Sequence, residues 1–172
     1  MSDNGLNGDA SWIRSALDRH EGPLTRYAQR ITGDSERARD VVQETFLRLC
    51  REERNNLDGR VVEWLYTVCR NKAVDVRRKE SRMTTLADVK LDESADRDPP
   101  PAEVAEERDS TGQVLRLLGS LPNREQEAIR LKFQHSLSYR EIARVMDLSA
   151  SNVGFLIHRG LKRIRQQIHD AD

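Results

Sequence analysis

The residues best equipped to bind something lie near the C-terminus of this 172-residue chain. Asn152, Phe155, Arg159 and Lys162 recur at steps of three and four, so a helix would carry them on one side, with His158, Arg163 and Arg165 beside them. Counting His as neutral, four basic residues and no acidic one lie between Ser149 and His169. Guanidinium and ammonium groups pair with phosphate, and Arg and Asn side chains match the edges of guanine and adenine. This is the chemistry of duplex recognition. The blander reading is a solvated basic face on the last helix of a bundle.

The elements that must hold this face are legible upstream of it. Ser138 is followed three residues later by Glu141, a capping box, with Leu137 and Ile142 placed as its hydrophobic staple. Ile142, Ala143 and Met146 carry a short helix, and Asp147-Leu148 makes the turn out of it. Ser149 is a second N-cap candidate, with Leu148 and Val153 as staple. Val153, Ile157, Leu161, Ile164 and Ile168 then form a buried helical stripe. Two capped helices joined by so short a turn form a helix-turn-helix, whose second helix suits a major groove.

Charge is segregated along the chain. The formal net charge is +0, which would argue against a polyanionic partner. Residues 88–109, however, hold nine acidic against three basic residues, a net of −6, while residues 110–172 are at +4 and residues 1–87 at +2. Aromatics are only 5% of the chain, which suits small helical cores better than one large one. Cys50 and Cys69 both sit in apolar helical patterns and read as buried free thiols in a reducing compartment. No apolar run is long enough to span a bilayer and no signal peptide is recognisable, so an intracellular location without membrane insertion is expected.

Taken in order, residues 1–9 read as a frayed tail. A helix over 10–20 carries Trp12, Ile13, Ala16 and Leu17, and Gly22-Pro23 is expected to end it. A second helix with Leu24, Tyr27, Ala28 and Ile31 stops near Gly33. The run from Ser35 to about Arg51 turns Ala38, Val41, Val42, Thr45, Phe46 and Leu49 inward. Its outer face, with Asp40, Gln43, Glu44 and Arg48, is mixed and somewhat acidic, which suits a protein partner better than phosphate. Residues 52–59 are a polar break.

A helix over 60–79 follows, with Val61, Trp64, Leu65, Val68, Cys69, Ala73 and Val76 as its apolar stripe. Its second half is rich in Arg70, Asn71, Lys72, Arg77, Arg78 and Lys79, with Asp75 the one acid among them. Cations at a helix C-terminus favour the helix in any case. Positioning on phosphates is the sharper reading.

Residues 81–109 show no period and contain Pro99-Pro100-Pro101. They read as a flexible acidic linker, either a plain tether or a strand that shields a basic surface. Helices over 110–119, carrying Val114, Leu115, Leu117 and Leu118, and after Leu121-Pro122, carrying Ala128, Ile129, Leu131 and Phe133, complete the second domain. The expectation is an all-α protein of two small helical domains, residues 1–82 and 110–172, joined by the linker over 83–109.

No phosphate-binding glycine loop and no catalytic triad are recognisable, and His20, His135, His158 and His169 are dispersed. No enzyme, metal site or cofactor is expected.

Three segments resemble the extracytoplasmic-function group of bacterial sigma factors: residues 34–49 (DSERARDVVQETFLRL), 63–79 (EWLYTVCRNKAVDVRRK) and 121–168. The resemblance implies a non-catalytic specificity subunit for transcription initiation. Asp40, Gln43, Glu44 and Arg48 would bind core RNA polymerase. Arg70, Asn71, Asp75, Arg77, Arg78 and Lys79 would face the minus-ten promoter element, and the loop with Asn55 and Asn56 would capture an extruded base of the melted non-template strand. Ser151, Asn152, Phe155, His158, Arg159, Lys162 and Arg163 would read the minus-thirty-five element in double-stranded DNA.

Phe155 departs from the polar residue expected there; it packs on a thymine methyl or belongs to the core of a rotated helix. An anti-sigma partner is also implied. The residues by themselves leave two alternatives open: a dimeric operator-binding regulator, and a helical adaptor with no contact to DNA.

Overall fold

The computed structural model describes residues 4–87 and 110–170, which fall into two helical units. No strand occurs among the described residues. The expected linker lies outside them, apart from its first positions.

In the first unit, α1 (Asn4–Thr32), α2 (Ser35–Leu49) and α3 (Val61–Ala87) pack pairwise against one another. A single α1 replaces the two helices expected on either side of Gly22-Pro23, and it starts inside the segment expected to fray. Pro23 removes one helical hydrogen bond, but Gly22 has no Cβ to clash with the proline ring. Continuity also keeps Ala16, Leu24, Tyr27 and Ala28 in phase on one buried face, which a break would lose. Burial overrides the local signal.

Gly33, at φ 71°, turns the chain into α2, whose first turn is capped by Asp34 accepting the Arg37 amide at 2.8 Å. The inward residues of α2 are those expected, and buried Thr45 donates its hydroxyl to the Val41 carbonyl at 2.8 Å. A 3₁₀ turn over Arg54–Leu57 buries Leu57 and leaves Asn55 and Asn56 exposed.

Two expectations for α3 change. Its buried line is Leu65, Tyr66, Cys69 and Ala73, whereas Val61, Trp64, Val68 and Val76 are half-buried. Tyr66 meets Tyr27 edge-on with ring centroids 5.1 Å apart, which selects this rotation of the helix. The helix also runs on to Ala87, past the end expected at residue 79 and the domain boundary at 82. Residues 81–84 are exposed, so this part of the extension buries no apolar stripe by which a sequence pattern would reveal it.

The second unit comprises α4 (Ser110–Gly119), α5 (Asn123–Phe133), α6 (Tyr139–Met146) and α7 (Ala150–His169). Helices α5 and α6 both pack on α7, and α4 makes a smaller contact with it. The capping box forms as expected: the Glu141 amide donates to Ser138 Oγ at 3.3 Å, and the Ser138 amide to Glu141 Oε2 at 2.7 Å. Leu137 and Ile142 are buried beneath it. Asp147 adopts the left-handed conformation at φ 54°, which Asp tolerates, and the Leu148 amide returns to the Ala143 carbonyl at 2.8 Å. Asp147, Leu148 and Ser149 make the turn. Ser149 then caps α7 by accepting the Asn152 amide at 3.1 Å.

The stripe of α7 is shorter than expected. Val153, Leu156, Ile157 and Gly160 are buried, Leu161 and Ile164 are half-buried, and Ile168 is exposed. Helix α7 outruns the helices packed on it, so its last turns have no apolar surface to meet. Val114, Leu115 and Phe133, expected in the core, are exposed for the same want of a neighbour among the described residues. Cys50, expected to be buried, caps the end of α2 and is exposed, while Cys69 is buried.

Candidate nucleic-acid interface

Helix α7 exposes Ser151, Asn152, Phe155, His158, Lys162 and Arg163, and leaves Arg159 half-buried. Phe155 is 58% exposed, which settles its placement: it is a surface residue and not part of the core. Tyr139, at the start of α6, lays its ring over Gly154; a Cβ on Gly154 would be 3.6 Å from Tyr139 Cε2. The Lys132 ammonium lies over the other part of this arrangement, 5.4 Å from the Tyr139 ring centroid. The last turn of α5 and the first residue of α6 therefore flank the exposed start of α7.

One organising residue escaped the sequence reading. Glu125 of α5 is fully buried, and Arg159 Nε donates to its Oε1 at 2.5 Å. Its second oxygen, Oε2, accepts no hydrogen bond and lies 3.6 Å from Arg163 Nε. The Arg159 guanidinium also stands 5.1 Å from the Phe155 ring centroid. One of the basic residues singled out for DNA, Arg159, is thus anchored from below by a carboxylate that Arg163 only approaches. The sequence offered no signal for this, because Glu125 looks like any charged residue in the first turn of a helix. Only the approach of α7 to α5 encloses it. Gly160 permits that approach, since a Cβ there would stand 2.6 Å from Ile129 Cδ1 and 3.4 Å from Glu125 Cβ.

In the first unit, Asn71, Asp75 and Arg78 form an exposed ridge of α3 at steps of four and three. Arg70 and Arg77 sit half-buried on one flank of the ridge, and Lys79 is exposed on the other. Because α3 continues to Ala87, Arg77, Arg78 and Lys79 are interior to the helix, and its last turn has no basic residue. Compensation of the helix dipole therefore no longer explains these cations. Lys72 is removed from the basic set, as its Nζ pairs with Glu44 Oε2 of α2 at 2.6 Å.

Across the Lys72–Glu44 pair from α3 lies the mixed face of α2. Asp40 and Gln43 are exposed, and Glu44 is occupied by Lys72 and by Arg48 at 3.1 Å. The hydrogen bond from Lys72 is the main cause that holds the Glu44 carboxyl below its ordinary value, against an opposing effect of desolvation. Leu47 lies on this face and is 55% exposed, an apolar residue that the sequence reading did not select. Arg37 and Glu80 form a further ion pair between α2 and α3. Asn55 and Asn56 stay exposed on the 3₁₀ turn before α3.

A helix-turn-helix with a basic exposed face thus follows a separate three-helix unit with its own polar ridge. Residues 16–83 match the family described as Sigma-70 region 2, and residues 111–164 match Sigma-70, region 4. The ECF RNA polymerase sigma factor SigE of Mycolicibacterium smegmatis is 32% identical over 155 residues, covering 88% of this chain and 58% of that protein. The ECF RNA polymerase sigma factor SigM of Bacillus subtilis is 27% identical over 143 residues, covering 81% of this chain and 85% of that one. The chain thus spans little more than half the length of SigE but most of SigM. The structure of CnrH, determined in complex with the cytosolic domain of CnrY, aligns with a TM-score of 0.58 at 23% identity, covering 93% of this chain and 88% of that one; it shares the fold. This chain belongs to the extracytoplasmic-function group of the sigma-70 family.

Proposed function

We propose that this chain is a specificity subunit of bacterial RNA polymerase that binds core enzyme and directs initiation at a set of promoters without itself catalysing a reaction. The observation that carries the reading is the succession, in one chain, of a region 2 match and a region 4 match, each with a polar or basic helix face exposed. Residues 1–82 and 110–172 serve as two domains, and residues 83–109 as the acidic linker between them. Two modest contacts held on one scaffold then add without either being strong alone.

In this reading α7 lies in the major groove of the minus-thirty-five element. Lys162 and Arg163 meet phosphates, Asn152 reaches a base edge, and Ser151 and His158 flank the contact. The α3 ridge of Asn71, Asp75 and Arg78, with Arg70, Arg77 and Lys79 beside it, faces the minus-ten element. Asn55 and Asn56 receive a base of the melted strand by hydrogen bonding, which recovers part of the few kcal/mol spent in unstacking it.

The α2 face docks on core polymerase through Asp40, Gln43 and Leu47, while Glu44 and Arg48, which pair with each other, shape the rim. An inhibitory protein that covers one or both domains completes the proposal, as does a cytoplasmic location. Among the described residues no helix is long and apolar enough to cross a membrane.

Reconstitution with bacterial core polymerase tests the reading. Transcripts from a genomic promoter library that arise only when the chain is added are expected. Failure to bind core, together with a shift of a two-fold symmetric duplex by the chain alone, would replace it with the operator-binding regulator.

A further inference from the structure

We propose that Glu125 is a positioning residue for base reading. It holds Arg159, with Phe155 on the other side, as a fork aimed at one guanine that neighbours a thymine in the upstream promoter element. The proposal rests on the sigma-factor reading above.

A buried ion pair is a poor device for stability, because an apolar residue of similar volume commonly serves as well or better. Glu125 nevertheless occupies a fully buried position on α5, beside Ala128 and Ile129, where an apolar side chain would fit the surroundings. What the carboxylate does is specific. It takes the Nε hydrogen of Arg159 at 2.5 Å, and the two terminal nitrogens have no partner among the described residues. Those nitrogens carry the parallel N–H bonds of an end-on fork, the arrangement that matches O6 and N7 of guanine.

The Phe155 ring, one turn earlier on α7 and 5.1 Å from the guanidinium carbon, limits the swing of the fork on its remaining side. The side chain therefore loses much of its rotamer freedom before DNA arrives, and binding does not have to order it. An exposed phenyl ring beside a guanine-reading fork meets the next base, and thymine is the base that offers an apolar group in the major groove.

Arg163 is held differently. Its Nε is 3.6 Å from Glu125 Oε2, beyond hydrogen-bond length, so it keeps the freedom that suits a phosphate.

The experiment is a selection from duplexes randomised across the upstream element, using the full chain bound to core polymerase. The native chain and the variants Glu125→Gln, Phe155→Leu and Arg159→Lys are compared. The native chain is expected to select a guanine next to a thymine. Glu125→Gln and Phe155→Leu are each expected to weaken the preference at that step by roughly tenfold and to leave the other positions unchanged. Arg159→Lys, which cannot hold Glu125 and read a base at once, is expected to abolish it. Because Glu125→Gln removes a negative charge, binding to unrelated duplex should not fall.

A uniform loss of affinity across all sequences in Glu125→Gln, or an undiminished guanine preference, would overturn the proposal and make Arg159 a phosphate contact. If Glu125→Gln loses helical circular dichroism, Phe155→Leu decides by the same criterion, since its site is on the surface. If the native chain does not bind core polymerase, the sigma-factor reading fails. The selection with the chain alone then judges the fork by the same base preference.

Discussion

Gly160 of α7 lies so close to Ile129 of α5 that a Cβ on the glycine would stand 2.6 Å from Ile129 Cδ1. The contact sets how near α7 comes to the helix that carries Glu125. Gly154, six residues earlier, has only an ordinary contact with the Tyr139 ring at 3.6 Å. The two glycines are alike in sequence and opposite in consequence. Gly160→Ala should destabilise the second unit by about 1 kcal/mol, as overpacking of roughly 1–3 kcal/mol outweighs a helix-propensity gain of about 1. Gly154→Ala should stabilise it by about 0.5–1 kcal/mol. Trp12 and Trp64 both lie in the first unit, so urea titrations should show these shifts in far-ultraviolet circular dichroism and not in tryptophan fluorescence.

The capping box predicts an acid limb for the second unit. The hydrogen bond from the Ser138 amide is the main cause that holds the Glu141 carboxyl below its ordinary value of 4.5. A carboxyl whose folded value is depressed contributes stability fully above its unfolded value, and loses it as pH falls through the folded one. The loss therefore falls below pH 4.5, and Glu141→Gln should flatten it. Ser138→Ala should cost about 1 kcal/mol at neutral pH. Melting temperatures followed by circular dichroism between neutral and acid pH check both.

The thiols should behave oppositely. Burial pushes Cys69 up to about 12, whereas Cys50 is exposed at the end of α2. Only the thiolate reacts, so a thiol reagent at neutral pH should modify Cys50 in the folded chain and reach Cys69 only after denaturant is added. Peptide mapping by mass spectrometry distinguishes the two sites. Rapid labelling of Cys69 in the native chain would contradict the packing of α3 against α2.

Leu47 should matter for assembly and not for folding. It is exposed, so Leu47→Ala should alter stability by no more than about 0.5 kcal/mol. An apolar residue enclosed at the centre of an interface commonly contributes 1–2 kcal/mol, so affinity for core polymerase should fall roughly five- to thirtyfold. Equilibrium titration of labelled chain with core enzyme measures it. An unchanged affinity would move the docking surface away from this face of α2.

Much of the architecture was legible because it rests on local chemistry. Ser138 and Glu141 announce a capping box at any tertiary position, since the hydrogen bonds close within one turn. Ser149 and the acid-free face of α7 are similar cases. Signals that depend on a neighbour failed. Gly22-Pro23 was read as a break, because the gain from keeping Ala16, Leu24, Tyr27 and Ala28 on one buried face is invisible locally. Tyr66 was missed in the α3 stripe, whose Leu65, Cys69 and Ala73 are buried as expected, because Trp64 and Tyr66 are equally credible core residues until Tyr27 selects one of them. The end of α3 was missed because residues 81–84, beyond its expected end, are exposed.

The sequence by itself determined the helical class, the two-part organisation, the helix-turn-helix and the basic character of its second helix. All of these follow from periodicity, capping and charge within a few residues. The tertiary structure alone decided which cations are free and which are held. Lys72 is tied to Glu44, and Arg159 is hydrogen-bonded to a carboxylate that the chain carries 34 positions away. Ion pairing depends on distance in space, and separation along the chain does not reveal it.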